Sequence, residues 1–249
     1  MSKSRFITGL RAVEQLLATE GAEVRRLYAE YQTANPRVEA VIQAARREGV
    51  EVQAANRARL TQISGETRHQ GVVAEVIRST ILDEAGLRSL VEKRLESGKK
   101  ILLLVLDGVQ DPHNLGACMR TADAAGVDAV VVPRHGAAGL GPTVSKVAAG
   151  AAEKLPFAAV ANLGKTLDWL GEYGIRRVGT SDKADSSLFD ADLAGSLALV
   201  MGREHTGLSK GISSRCDVLV SLPMHGVVSS LNVSVATGIC LYEMVRRRG

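Results

Sequence analysis

Residues 101–133 read ILLLVLDGVQDPHNLGACMRTADAAGVDAVVVP, and this stretch decides the fold class. Ile101–Leu106 is a continuous apolar run of the length of one strand covered on both faces. A polar loop follows, then a helical pattern expected over Asn114–Ala125, a stop at Gly126, and a second strand over Asp128–Val132 closed by Pro133. Strand, crossover helix and parallel strand make a βαβ unit. Similar strands are expected at Pro156–Val160, Ile175–Thr180, Leu197–Met201 and Val218–Leu222, with a last helix from about Ser230 to Arg248. The C-terminal part therefore reads as an α/β domain on a parallel sheet.

Upstream the pattern changes. Leu10, Val13, Leu16 and Leu17 form a helical stripe, and Val24–Tyr28 is strand-like. Arg37–Arg47 is helical with a stop at Gly49, and Val50–Val52 and Val72–Ile77 read as further strands. Residues 1–77 are thus expected to be a small α/β domain, 78–97 a linker that could include the next domain's first helix, and 98–249 the larger domain.

Composition excludes several classes. The 249 residues are 45% hydrophobic and 23% charged, enough to bury a core without staples. Three scattered cysteines give no disulfide framework or zinc spacing. The five histidines show no HxxxH or HExxH spacing, so no metal site is expected. No apolar run approaches a membrane span, and residues 1–17 lack the apolar core of a signal peptide. A cytoplasmic protein is expected. The net charge of +4 is uneven: residues 1–100 carry 17 Lys and Arg against 13 Asp and Glu, and the rest balances. The excess comes in the pairs Arg25-Arg26, Arg46-Arg47, Arg57 with Arg59, and Arg68-His69. Such pairs suit a phosphate backbone, although a solvated helix face explains them equally well.

Three loops follow the C-terminal ends of expected strands, where open α/β sheets bind ligands. The first runs from Leu106 through Gly116 and on to Arg120. Asn114 there is either a site residue or a helix cap, and Arg120 either a site residue or a surface ion pair. In the second, Val200-Met201-Gly202-Arg203-Glu204-His205-Thr206-Gly207-Leu208, Gly202 would let backbone approach a ligand closely. Glu204 is an acid/base candidate or an ordinary loop acid. Neither GxxxxGK[ST] nor GxGxxG is present, which removes support for nucleoside-triphosphate and dinucleotide readings. The third loop, Ser221-Leu222-Pro223-Met224-His225-Gly226-Val227-Val228-Ser229-Ser230-Leu231-Asn232-Val233-Ser234, combines apolar residues with hydroxyls at a helix start. That mixture suits a ligand with a flat ring and a polar tail.

Taken together, DPHNLGACMRTADAAGVDAVVVP, LVMGREHTGL and LPMHGVVSSLNVSVATGICLYE resemble the three motifs of the SpoU (SPOUT) superfamily of RNA ribose 2′-O-methyltransferases. ITGLRAVEQLL and RHQGVVAEV resemble the substrate-binding domain of one branch, which contains enzymes that methylate a guanosine in the P loop of 23S rRNA. The resemblance implies a SPOUT domain with a deep trefoil knot, an L30e/L7Ae-like N-terminal domain, and a homodimer acting on 23S rRNA or a large-subunit precursor. It implies S-adenosylmethionine as cofactor, held by Gly202, Leu222 and Leu231 with Thr180, Met201, Met224 and Ser230. Asn114, Arg120, Glu204, Ser230 and Asn232 fall on its catalytic positions, with Arg120 supplied by the partner subunit. A tRNA 2′-O-methyltransferase or a non-catalytic RNA-binding assembly protein of the same fold are the competing readings.

Overall fold

The computed structural model describes residues 5–18, 24–31, 35–76, 81–203 and 206–248. It divides into two units, Met1–Thr80 with Leu140–Lys154, and Ile81–Gly139 with Leu155–Gly249.

In the first unit, β1 (Arg5–Thr8), α1 (Leu10–Leu17), β2 (Val24–Glu30), α2 (Pro36–Arg47), β3 (Glu51–Ala55), α3 (Arg57–Ser64) and β4 (Val72–Val76) build a mixed sheet of order β1-β4-β2-β3. Period-two alternation sorts its side chains. Leu27 and Ala29 of β2, with Val72, Ala74 and Val76 of β4, join the core under α1 and α2. Tyr28 and Val73 point the other way, toward Leu60 of α3. Asn35 and Asn56 cap α2 and α3 by accepting backbone N–H bonds from Arg37 and Arg59. The sequence pattern does not suggest β1, which is four residues long, or α3, whose only large apolar residues are Leu60 and Ile63. Ile77, expected to end a strand, lies outside the described residues.

The basic pairs are not equivalent. Arg26 donates to Glu51 at 2.9 Å, so it is already neutralised. His69 is 1% exposed rather than part of a surface pair, and its Nδ1 accepts from the Gly71 N–H at 3.1 Å. Arg46, Arg47, Arg57, Arg59 and Arg68 remain exposed.

The second unit contains α4 (Glu84–Glu96), β5 (Leu102–Leu106), α5 (Pro112–Ala124), β6 (Ala129–Pro133), β7 (Phe157–Val160), α8 (Leu163–Glu172), β8 (Arg176–Thr180), β9 (Ser186–Ser187), β10 (Leu197–Met201), α9 (Lys210–Ser213), β11 (Val218–Ser221) and α10 (Val233–Arg248). The short helices α6 (Pro142–Ala148) and α7 (Ala151–Lys154) lie in the segment grouped with the first unit. The seven strands are all parallel, in the order β7-β6-β5-β10-β8-β11-β9. All five residues of β5 and of β10 are buried, as continuous apolar strands in a two-sided sheet must be. The expected linker range 78–97 holds α4, capped by Asp83, with Leu87 and Val91 fully buried in this core. Arg88 of α4 stacks over Trp169 at 4.6 Å, and Glu84 accepts from the Trp169 indole N–H at 3.2 Å.

Burial, followed by the charge of Arg57, holds the His69 imidazole below its ordinary range. The unfolded chain protonates this histidine near pH 6.5 and the folded one resists, so its stabilising contribution is complete above that pH and lost as pH falls. Urea midpoints of the wild type should decline as pH falls from 7.5 to 5.5. In His69→Gln that decline should be shallower; equal slopes by circular dichroism would reject the account.

Candidate active site

Because every strand of the larger sheet is parallel, Leu106, Pro133, Thr180, Met201 and Ser221 all end at one edge. From β5 the chain lays β6 and β7 to one side, while β10, β8 and β11 lie on the other. The direction reverses between β5 and β10, which is where open parallel sheets hold ligands. The three expected site loops all leave the sheet at this edge.

Asp107 fastens the first loop to the second. It is 8% exposed; its backbone N–H donates to the Met201 carbonyl at 2.8 Å, and its Oδ2 accepts from the Ser209 N–H at 2.9 Å. Sequence reasoning passes over this residue, since an aspartate after a strand reads as an ordinary loop acid. Beyond it, α5 begins at Pro112 rather than Asn114. Asp111 is the cap, accepting from the His113 N–H at 2.8 Å, and Pro112 takes the first helical position. This removes the capping explanation for Asn114. Asn114 is half-buried in the first turn, whereas Arg120 is exposed and about 120° around the helix from it.

The second loop closes on itself. Arg203 and Gly207 exchange backbone hydrogen bonds of 3.1 and 3.0 Å. A Cβ at Gly202 would lie 2.1 Å from the Gly207 carbonyl carbon and 2.3 Å from the Leu208 nitrogen. The glycine is required by this turn, a more immediate reason than room for a ligand. Thr180, on the neighbouring strand, is half-buried with its hydroxyl 3.5 Å from the Val200 carbonyl and 3.6 Å from Met201 Sδ. Glu204 lies outside the described residues.

In the third loop Leu222, Met224 and Leu231 are half-buried, and Ser230 is exposed. The expected helix from Ser230 begins instead at Val233. Asn232 caps it: its carbonyl accepts from Ala236 at 2.9 Å, and its Oδ1 accepts from the Ser234 N–H at 2.9 Å and hydroxyl at 2.6 Å. The other end of the same amide donates from Nδ2 to Asn114 Oδ1 at 2.9 Å. Two residues singled out 118 positions apart are thus bonded, and they join the first loop to the third. Close packing of α5 on α10 supports them, with Cys118 Sγ 3.6 Å from the Thr237 hydroxyl. A Cβ on Gly238 would meet Thr121 at 3.5 Å.

Other reactive types are accounted for. Burial pushes the Cys216 and Cys240 thiols up to about 12, so neither is a nucleophile at neutral pH. Glu243 is held at about 2 by hydrogen bonds from Arg246 and then Arg247, which disqualifies it as a proton acceptor. Among the described residues, no group of three His, Cys, Asp or Glu could hold a metal ion. No helix among them is long and apolar enough to cross a membrane.

This is the architecture of a parallel α/β protein with three linked loops at the C-terminal edge of its sheet. The SpoU rRNA Methylase family model matches residues 101–242, which contain all three loops. The chain belongs to that family. The model for RNA 2′-O ribose methyltransferase substrate binding matches residues 6–81. The 23S rRNA (guanosine-2′-O-)-methyltransferase RlmB of Coxiella burnetii is 45% identical over 248 residues, covering 100% of this chain and 98% of that one. Its namesake from Pseudomonas aeruginosa is 47% identical over 248 residues, covering 100% and 98%. Among solved structures, the SpoU methyltransferase AviRb of Streptomyces viridochromogenes, in complex with AdoMet, superposes with a TM-score of 0.80 at 28% identity, covering 98% of this chain and 90% of that one.

The shared amide makes a prediction in stability alone. Asn232→Ala removes both cap and link and should destabilise the protein by about 1–2 kcal/mol. Asn114→Ala removes only the link and should cost less. The double variant should fall short of the sum, the mark of residues that touch; strictly additive denaturation energies would show that the bond contributes nothing.

Proposed function

We propose that this chain transfers a methyl group from S-adenosylmethionine to the ribose 2′-oxygen of a guanosine in 23S rRNA, in the P loop of the peptidyl-transferase centre. The hydrogen bond between Asn114 and Asn232 carries the reading, because it unites two separate family motifs at the ligand edge. Full-length similarity to enzymes named for that reaction supports it.

The third loop fits the cofactor. Leu222, Met224 and Leu231 offer half-buried apolar surface, and the backbone of 224–231 makes no hydrogen bond among the described residues. Apolar walls beside free N–H groups suit a ring joined to a charged amino-acid tail. Met201, Gly202, Thr180 and Ser230 complete this set. The cofactor supplies the methyl group on a sulfonium; the protein's own residues must position the ribose and handle its proton. Arg120 cannot accept that proton, since a guanidinium is never deprotonated in proteins. It stabilises the developing alkoxide by fixed charge and clamps an adjacent phosphate. Glu204 accepts the proton or orients Arg120. Asn114, Ser230 and Asn232 hold the geometry of the first and third loops.

The same reading covers architecture. Residues 1–77 form an L30e/L7Ae-like RNA-binding domain, 78–97 a connection, and 98–249 a SPOUT domain with a deep trefoil knot. Support for the knot comes from chain order: β10 follows β8 in sequence yet lies between β5 and β8, and α10 then returns to pack on α5. The protein acts as a cytoplasmic homodimer. Val235, Ile239 and Tyr242, spaced four and three along α10 and exposed by 52%, 37% and 53%, form an apolar stripe that a second copy would cover. Arg120 then enters the partner's site.

Incubation with methyl-labelled cofactor and a 23S rRNA transcript should label one guanosine ribose. Arg120→Ala should lower the rate by about 100-fold or more with cofactor affinity nearly unchanged. Mixed Arg120→Ala and Asn232→Ala subunits should regain activity in heterodimers. Heterodimers that form but stay inactive would place Arg120 in the site of its own subunit.

A further inference from the structure

The arginines of the second unit differ in what they are bonded to. Arg94, Arg176, Arg177, Arg215, Arg246 and Arg247 are each bonded to a carboxylate. Arg88 stacks on Trp169 and Tyr173, while Arg120, Arg134, Arg203 and Arg248 have no carboxylate partner among the described residues; two of these last four, Arg134 and Arg203, stand just past the ends of the strands that flank β5. Arg203 follows β10, and Arg134 follows β6. A folded surface usually screens its cations with acids, so cations left unscreened at one edge leave a concentrated positive field there.

The sheet register fixes where they stand. Met201 pairs with Leu106 and Val105 pairs with Val131, so Arg203, Gly108 and Arg134 leave three adjacent strands nearly abreast. Gly108 has φ +83°, and a Cβ on it would lie 2.6 Å from Arg203 Nε, so Arg203 lies directly over that glycine. Arg134 stands one strand beyond, about 10 Å from Arg203 at the usual strand spacing. The loop bearing Arg134 is tied to the first site loop twice: the Ala138 N–H donates to the Val109 carbonyl at 2.8 Å, and Gln110 Nε2 donates to the Gly136 carbonyl at 3.3 Å. Arg134, His135 and Gly136 are exposed, and a Cβ at Gly136 or Gly139 would meet nothing within 4 Å. That open space over small residues lets a polymer backbone come close.

We infer that Arg134 and His135, in line with Arg203, form a phosphate-binding row along the C-terminal edge of the sheet that grips the RNA backbone beside the target nucleotide. The inference rests on the proposed RNA methyl transfer and adds to it a substrate-positioning surface outside the three motif loops. Phosphate contacts of this kind set register and orientation without reading sequence. Arg134 offers a forked donor, and His135 donates a hydrogen bond in either protonation state.

The test uses the full-length protein and a 23S rRNA transcript, with an unrelated single-stranded RNA of equal length as a second probe. In Arg134→Gln/His135→Gln the dissociation constant for both RNAs should rise by about tenfold, and the slope of log K against log salt should shrink by about 0.7 for each phosphate no longer neutralised. The KM for RNA should rise more than kcat falls, and cofactor affinity should stay within about twofold. Arg134→Lys should recover much of the salt slope, because it restores the charge. Arg176→Gln, which removes an arginine already paired with Asp192, should leave the slope unaltered. An unchanged slope and KM in the double variant, with the wild type still methylating the transcript, would overturn the phosphate row alone. A wild type that neither binds nor methylates the transcript would overturn the parent reading and the row with it.

Discussion

The pairing of β10 with β5 on one side and β8 on the other is the constraint from which the functional edge follows. The five residues of β10 run in parallel register with Leu102–Leu106, and its first four also pair with Arg176–Gly179. A strand so enclosed must be apolar on both faces, and Leu197–Met201 is. Its insertion puts the Met201 carbonyl within reach of the Asp107 N–H, and the Asp107 carboxylate within reach of Ser209. Two loops remote in sequence thereby become one surface, and Gly202 follows as a requirement of the tight return. The third loop is joined last, through α10 and the amide of Asn232.

Much of this is readable from residue type alone, for a definite reason. Strands buried on both faces leave unbroken apolar runs, so the main strands of the larger sheet are legible to within one or two residues. Helix starts are harder, because several polar residues compete for each cap. In DPHN, Asp111 wins over Asn114, since proline at the next position has no N–H to satisfy and fits the first turn. In SSLN, Asn232 wins over Ser230 and frees the serines from that task. Both shifts matter for chemistry: they release Asn114 from capping and give Asn232 two tasks. Asp107 and His69 cannot be found this way. Their importance comes from burial and long-range partners, which local pattern does not record.

Charge shows the same limit. Sequence alone locates the excess of basic residues in the first 100 positions, but not which of them are available. Arg26 is consumed by Glu51, and His69 is buried and pushed toward its neutral form. Conversely the second unit, with most of its arginines matched to acids, keeps Arg134 and Arg203 without a carboxylate among the described residues beside its ligand edge. Net charge is therefore a poor guide to where a polyanion sits. Pairing decides that, because an arginine already bonded to a carboxylate has little field left to offer.

The double duty of Asn232 has a consequence for how the site responds to substitution. Its Oδ1 serves the helix and its Nδ2 serves Asn114, so both partners cannot be satisfied by a residue with only one kind of polar atom. Aspartate would keep the cap, and even improve it against the helix dipole, yet would set a carboxylate oxygen against the Asn114 carbonyl oxygen unless that amide turned over. Serine would keep the cap but falls short of α5. An amide whose two ends are fixed by a helix N-terminus and by a second helix cannot rotate freely, which is how a loop of exposed small residues is held at a sheet edge. Rigidity at this one side chain gives the third loop a fixed end, although the backbone of 224–231 makes no hydrogen bond among the described residues.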